Sequence, residues 1–133
     1  MNRALFLDRD GVINFNHGYC NKVEDFHLVP GIQQLVRNYR MQGYLPIVVT
    51  NQAGIAHGFL SAEDLERIHS YMRAKFDDAQ TYLHAIYYCP DTEGPNRKPE
   101  PGMLLQAQRE HDIDMANSII IGDQITDVEA GRR

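Results

Sequence analysis

The sequence predicts an α/β fold, a three-layer αβα sandwich built on a doubly wound parallel sheet. Three observations carry that expectation. Short apolar runs at 4–7, 46–49, 85–88 and 118–121 are rich in β-branched or aromatic residues and only a few residues long, as buried parallel strands are. Helical apolar patterns separate these runs. Three of the runs lead into polar groups of related chemistry: Asp8 and Asp10 after the first, Thr50 after the second, and Asp123 after the fourth.

The elements follow in order. Leu5, Phe6 and Leu7 form the first strand and run into Asp8-Arg9-Asp10-Gly11. Ile32, Leu35, Val36 and Tyr39 then recur at helical spacing, and Gly43 stops the helix. Ile47, Val48 and Val49 make the second strand, followed by Thr50-Asn51-Gln52. Leu65, Ile68, Met72 and Phe76 form a second helical stripe. Ser61 and Asp64 open it as a capping box, with Asp in place of the more usual Glu. After the third strand, residues 91–101 are rich in Pro, Gly and charge and read as a surface loop. A third helix starts near Pro101-Gly102, where Pro is tolerated in a first turn, and runs to about His111. A fourth begins after Asp123. Strand alternating with helix implies right-handed crossovers, which put a ligand beyond the carboxyl ends of the strands.

Composition narrows the function classes. The 133 residues suit a single domain, 1–133, with no internal repeat, linker or low-complexity segment. Net charge is −5 and the 13 basic residues form no stripe, which argues against nucleic acid as a partner. Two cysteines, Cys20 and Cys89, are too few for a disulfide framework. No apolar stretch reaches membrane-spanning length, and the first charged residues come too early for a signal peptide. The expected setting is cytoplasmic, with a small-molecule partner and no membrane contact. His27, His69, His84 and His111 have no mutual spacing for a metal site and read as surface or helix-end residues. Tyr87 and Tyr88 read as strand packing.

The chemistry is in the strand ends. In parallel strands, Asp8, Asp10, Asp123 and Asp127 meet at one edge, where carboxylates repel unless a cation lies among them. Oxygen ligands with an open position suit magnesium, which keeps waters and takes a phosphate oxygen. Alternate residues of an extended segment point the same way, so Asp8 and Asp10 can face one ligand. One carboxylate can attack phosphorus while the other handles the proton of the leaving oxygen. Thr50 offers a hydroxyl, and Lys98 a positive charge beside the phosphoryl group. Arg97 can make a two-pronged contact to a second polar part of a substrate. Taken singly, each motif has a commoner explanation: Asp-x-Asp is frequent in turns, Thr50-Asn51 could cap a helix, and Lys98 could be a solvated loop charge. Their joint occurrence in this order at strand ends favours function.

In that order, Asp-x-Asp, Thr, Lys and Gly-Asp-x-x-x-Asp, the chain resembles the haloacid dehalogenase (HAD) superfamily of phosphatases over essentially its whole length. Longer strings resemble the D-glycero-D-manno-heptose 1,7-bisphosphate 7-phosphatase and histidinol-phosphatase family. They are Asp8-Arg9-Asp10-Gly11-Val12-Ile13-Asn14, His17-Gly18-Tyr19, Thr50-Asn51-Gln52-Ala53-Gly54-Ile55-Ala56, Tyr87-Tyr88-Cys89-Pro90 and Arg97-Lys98-Pro99-Glu100-Pro101-Gly102-Met103. The resemblance implies a magnesium-dependent phosphohydrolase without a cap domain, monomeric or weakly dimeric, acting on a small sugar (bis)phosphate through an aspartyl-phosphate. Histidinol phosphate is the alternative substrate, and a shortened member with little turnover the alternative state. It implies Asp8 as nucleophile and metal ligand, and Asp10 as general acid/base that touches the metal through its carbonyl. Thr50 and Lys98 would stabilise the phosphoryl group, Asp123 would complete the metal site, and Asp127 would support Lys98 or the metal. Asn16, His17, Gly18, Tyr19, Asn51, Gln52, Ala53, Arg97 and Gln124 would line the substrate.

Two departures stand out. Relatives carry a zinc loop that starts Cys-x-His and ends in two cysteines. Here Asp91 stands at the histidine position and the later cysteines are missing, so Cys89 alone cannot build a four-ligand cage and no zinc is expected. Relatives also continue past the last motif into another strand and helix, which are expected to be absent.

Overall fold

A computed structural model describes residues 1–15, 20–77, 81–91, 93–95, 97–98 and 101–122. Strands β1 (Arg3–Leu7), β2 (Tyr44–Asn51), β3 (Ala85–Cys89) and β4 (Ile119–Ile121) alternate with helices α1 (Ile32–Met41), α2 (Ala62–Lys75) and α3 (Gly102–His111). The sheet is parallel throughout, in the order β3-β2-β1-β4. The chain winds outward from β1 through β2 to β3 and then returns to β1's other side. That reversal is the doubly wound arrangement, and it makes a crevice at the carboxyl end of β1.

Side-chain alternation along the strands explains why both faces are covered. Leu5, Leu7 and Val48 point to one face and pack with Val36 of α1 and Ile68 and Met72 of α2. Ala4, Phe6, Ile47 and Val49 point to the other and pack with Met103, Leu104 and Ala107 of α3. Strands buried on both faces have to be apolar throughout, which is why no polar alternation marks them.

The first three expected helices are observed. Ser61 caps α2: its hydroxyl accepts from the Asp64 N–H at 3.0 Å and the Asp64 carboxylate accepts from the Ser61 N–H at 3.0 Å. Gly43, which follows α1, has φ +93, and an added Cβ would come within 3.1 Å of Arg3 Nη2. Glycine is therefore favoured there on two counts. β2 is longer than the apolar run at 46–49, because Thr50 and Asn51 pair with Tyr88 and Cys89 of β3. Pro46 is tolerated in this inner strand because β3 pairs only from Ile47 onward, so no partner awaits the missing N–H. The fourth helix expected after Asp123 lies outside the described residues.

One expectation about the histidines needs correction. His69 is buried at 7% exposure, its ring edge-on to Tyr88. His84 and His111 meet at the amino end of β3, with Nε2 and Nδ1 3.1 Å apart, and His111 Nε2 lies 2.9 Å from the Tyr87 hydroxyl. Tyr87 in turn donates to Glu110, and burial together with that carboxylate raises the phenol's pKa. Burial first, and then His111, lowers the pKa of His84. Among the described residues, no helix is long and apolar enough to cross a membrane.

Candidate active site

The site forms where β1 and β2 end. Asp8 is the first residue past β1, and its N–H donates to the Ile121 carbonyl at the end of β4 at 3.0 Å. Gly11, at φ +90, lets the chain fold back so that the N–H groups of Val12, Ile13 and Asn14 all reach the Arg9 carbonyl, at 3.2, 2.8 and 3.2 Å. The Asp-x-Asp motif is thereby held in a turn immediately beyond the sheet.

Asp8 is 8% exposed, and its Oδ1 accepts from the Arg9 N–H at 2.9 Å and lies 3.3 Å from Lys98 Nζ. Lys98 is 4% exposed, and its Nζ also donates to the Val49 carbonyl at 3.1 Å. Asp8 and Lys98 thus form a buried pair of opposite charges in contact. Lys98 comes from the long loop after β3, so its position has to be fixed from outside that loop. Asn51 does this: its Oδ1 accepts from the Lys98 N–H at 3.1 Å and its Nδ2 donates to the Lys98 carbonyl at 3.3 Å.

Asp10 is held by a second set of contacts. Its Oδ1 accepts from Arg9 Nη2 at 2.8 Å, Arg9 Nε at 3.2 Å and Asn14 Nδ2 at 3.0 Å. Its Oδ2 accepts from Gln52 Nε2 at 3.0 Å, and the same amide donates to Thr50 Oγ1 at 3.0 Å. Thr50 is almost fully buried, and Gln52 links it to Asp10. Arg9, itself fully buried, also reaches His69 Nε2 with Nη1 at 3.2 Å. Burial, reinforced by the Arg9 charge, pushes the His69 pKa down to about 3.

The fold therefore gathers Asp8, Asp10, Thr50 and Lys98. Asn51 and Gln52, expected to line a substrate, are directed at Lys98 and at Asp10 and Thr50. Ala53 opens a turn, its carbonyl accepting from the His57 N–H at 3.0 Å. Arg97 is half-buried and donates from Nη1 to the Asp91 carbonyl at 3.1 Å. Asn16, His17, Gly18, Tyr19, Asp123, Gln124 and Asp127 lie outside the described residues. Arg9, Asn14 and His69 were not anticipated from sequence. Two signals were available: Arg9 lies between two carboxylates that face outward and so points inward, and His69 follows Leu65 by four residues on the buried stripe of α2.

Among the described residues, no group of three or more His, Cys, Asp or Glu is placed to hold a metal. What the described strand ends offer a cation is carboxylate oxygen, as from Asp8. That donor chemistry fits magnesium and not a soft, thiolate-binding metal.

Comparison with known proteins agrees with this geometry. The HAD-hydrolase-like family matches residues 95–133. A D-glycero-alpha-D-manno-heptose-1,7-bisphosphate 7-phosphatase of Campylobacter jejuni is 46% identical over 97% of this chain and 76% of its own length. A D-glycero-beta-D-manno-heptose-1,7-bisphosphate 7-phosphatase of Pasteurella multocida is 40% identical over 99% of this chain and 77% of its own. The crystal structure of D,D-heptose 1,7-bisphosphate phosphatase from B. bronchiseptica, complexed with magnesium and phosphate, superposes with a TM-score of 0.87 at 30% identity, covering 96% of this chain and 74% of that one. Likeness of this degree in sequence and fold means that the chain belongs to the HAD-like phosphatases, in the family of the heptose 1,7-bisphosphate 7-phosphatases.

Proposed function

We propose that this protein removes the 7-phosphate of a D-glycero-D-manno-heptose 1,7-bisphosphate, with Asp8 as the nucleophile. The observation that carries the reading is the buried Asp8–Lys98 pair, 3.3 Å apart at the carboxyl end of β1. A carboxylate beside a lysine can attack phosphorus, and the same lysine can then hold the phosphoryl oxygens. The shared 7-phosphatase name of the relatives supports the choice of phosphate.

The reaction runs in two steps. An Asp8 oxygen attacks phosphorus, the bond from phosphorus to the sugar oxygen breaks, and Asp10 gives that oxygen its proton. A water then attacks the aspartyl-phosphate while Asp10 takes a proton back, releasing inorganic phosphate and restoring Asp8. Lys98 and the Thr50 hydroxyl hold the charge that develops on the phosphoryl oxygens. The Asp8 carboxylate, the Asp10 carbonyl and Asp123 would hold magnesium, which would supply positive charge to that group. Asp127 supports Lys98 or the metal, and Asn16, His17, Gly18, Tyr19, Arg97 and Gln124 line the sugar. Zinc has no part in the reading, because Cys89 is buried beside Asp91 and supplies a single thiol.

The test is phosphate release from a panel containing both anomers of the heptose bisphosphate, other sugar phosphates and histidinol phosphate, with and without magnesium. The expected result is magnesium-dependent loss of the 7-phosphate, leaving the heptose 1-phosphate. Preference for histidinol phosphate would overturn the substrate, and equal release under complete chelation would overturn the metal.

A further inference from the structure

We propose that Arg9 and His69 are positioning residues for Asp10, and that they dedicate Asp10 Oδ2 to proton transfer. The inference rests on the reading of Asp10 as the group that protonates the leaving oxygen.

Among the described residues, Arg9 is the largest fully buried side chain. A buried guanidinium is costly unless its donors are used. Here Nε and Nη2 converge on Asp10 Oδ1 at 3.2 and 2.8 Å, and Nη1 reaches His69 Nε2 at 3.2 Å. A guanidinium has donors and no acceptor. Nη1 is therefore the donor and His69 Nε2 accepts, which leaves the imidazole neutral with its proton on Nδ1. A protonated or Nε2-protonated His69 would set donor against donor. His69 is anchored on α2 between core residues, so it fixes the far side of the guanidinium plane as Asp10 fixes the near side.

The consequence falls on the two carboxylate oxygens. Oδ1 receives three N–H donors, two from Arg9 and one from Asn14. Its lone pairs are occupied, and an added proton there would clash with those donors. Oδ2 receives Gln52 Nε2 at 3.0 Å, and that same amide is shared with Thr50. Of the two oxygens, Oδ2 is therefore the one with room for a transferred proton, and Arg9 keeps the carboxyl group from rotating to exchange them. Lysine cannot replace Arg9, because a point charge lacks the fork that spans Asp10 and His69.

The test compares Arg9→Lys, His69→Gln, His69→Leu and Asp10→Asn on the heptose bisphosphate and on an aryl phosphate, whose leaving group needs little protonation. General acid catalysis typically contributes a factor of about 10²–10⁴. Arg9→Lys should lower kcat on the sugar substrate by roughly a hundredfold and on the aryl phosphate by no more than about threefold, with KM little changed. His69→Gln keeps an acceptor for Nη1 and should lose clearly less on the sugar substrate than His69→Leu. Circular dichroism and thermal midpoints identify any variant that has simply unfolded, and the two His69 variants keep the comparison decisive if Arg9→Lys does. Equal losses on both substrates from Arg9→Lys, or equal behaviour of the two His69 variants, would overturn the proposal, provided Asp10→Asn itself discriminates between the substrates. If Asp10→Asn also falls equally on both, Asp10 is not the proton donor, and the underlying reading fails with the proposal.

Discussion

At the residue scale, the groups proposed to act on phosphorus are each fixed by a neighbouring side chain. Asn51 grips both backbone polar groups of Lys98, and Gln52 joins Asp10 to Thr50. Losing Lys98 removes the charge beside Asp8, so Lys98→Met should lower kcat by about 10²–10³, the range for deleting one electrostatic stabiliser, as steady-state phosphate release will show. His69 gives a pH prediction. Its folded pKa, about 3, lies below the ordinary value of 6.5, so the folded state refuses a proton that the unfolded chain accepts. Stability is unaffected by this group above about pH 6.5 and falls as pH drops from there toward 3. Urea midpoints measured from pH 7 to 4 should decline less steeply for His69→Gln than for the wild type. Sequence made the gathering of Asp8, Asp10, Thr50 and Lys98 legible because they sit at strand ends or a loop start. It did not make Arg9 or His69 legible, because a buried charge and its acceptor are defined by a contact sixty positions apart in the chain.

At the scale of elements, local signals did well where the physics is local. The capping box of α2, the stop at Gly43 and the start of α3 at Gly102 were all readable, since each depends on a few neighbouring residues. Ser61→Ala should cost about 1 kcal/mol of stability, measurable by denaturant unfolding, because the Asp64 N–H loses its partner. The length of β2 was not readable: Thr50 and Asn51 are polar, and only pairing with Tyr88 and Cys89 draws them into the strand. That extension carries Asn51 to the level where it can hold Lys98. The third strand and its loop likewise gave no hint that His84 and His111 would meet.

At the scale of the whole molecule, strand order explains why the chemistry collects at one place. β1 lies between β2 and β4, so whatever follows β1 is flanked by whatever follows its neighbours. Among the described residues β4 pairs only with β1, and its residues are half-buried where those of β1 are buried. Amide exchange should therefore be faster across Ile119–Ile121 than at Phe6 and Leu7, in a mass-spectrometric or NMR exchange series. Equal protection of the two strands would mean that another segment or a second copy covers β4. The chain of reasoning from strand end to phosphatase depends most on Asp8. Its isosteric replacement, Asp8→Asn, leaves shape nearly intact while turning one acceptor oxygen into an amide donor and removing the attacking oxygen anion. With heptose 1,7-bisphosphate and magnesium, the account predicts a circular dichroism spectrum like the wild type's and no phosphate release above background. Release from Asp8→Asn at the wild-type rate would contradict it.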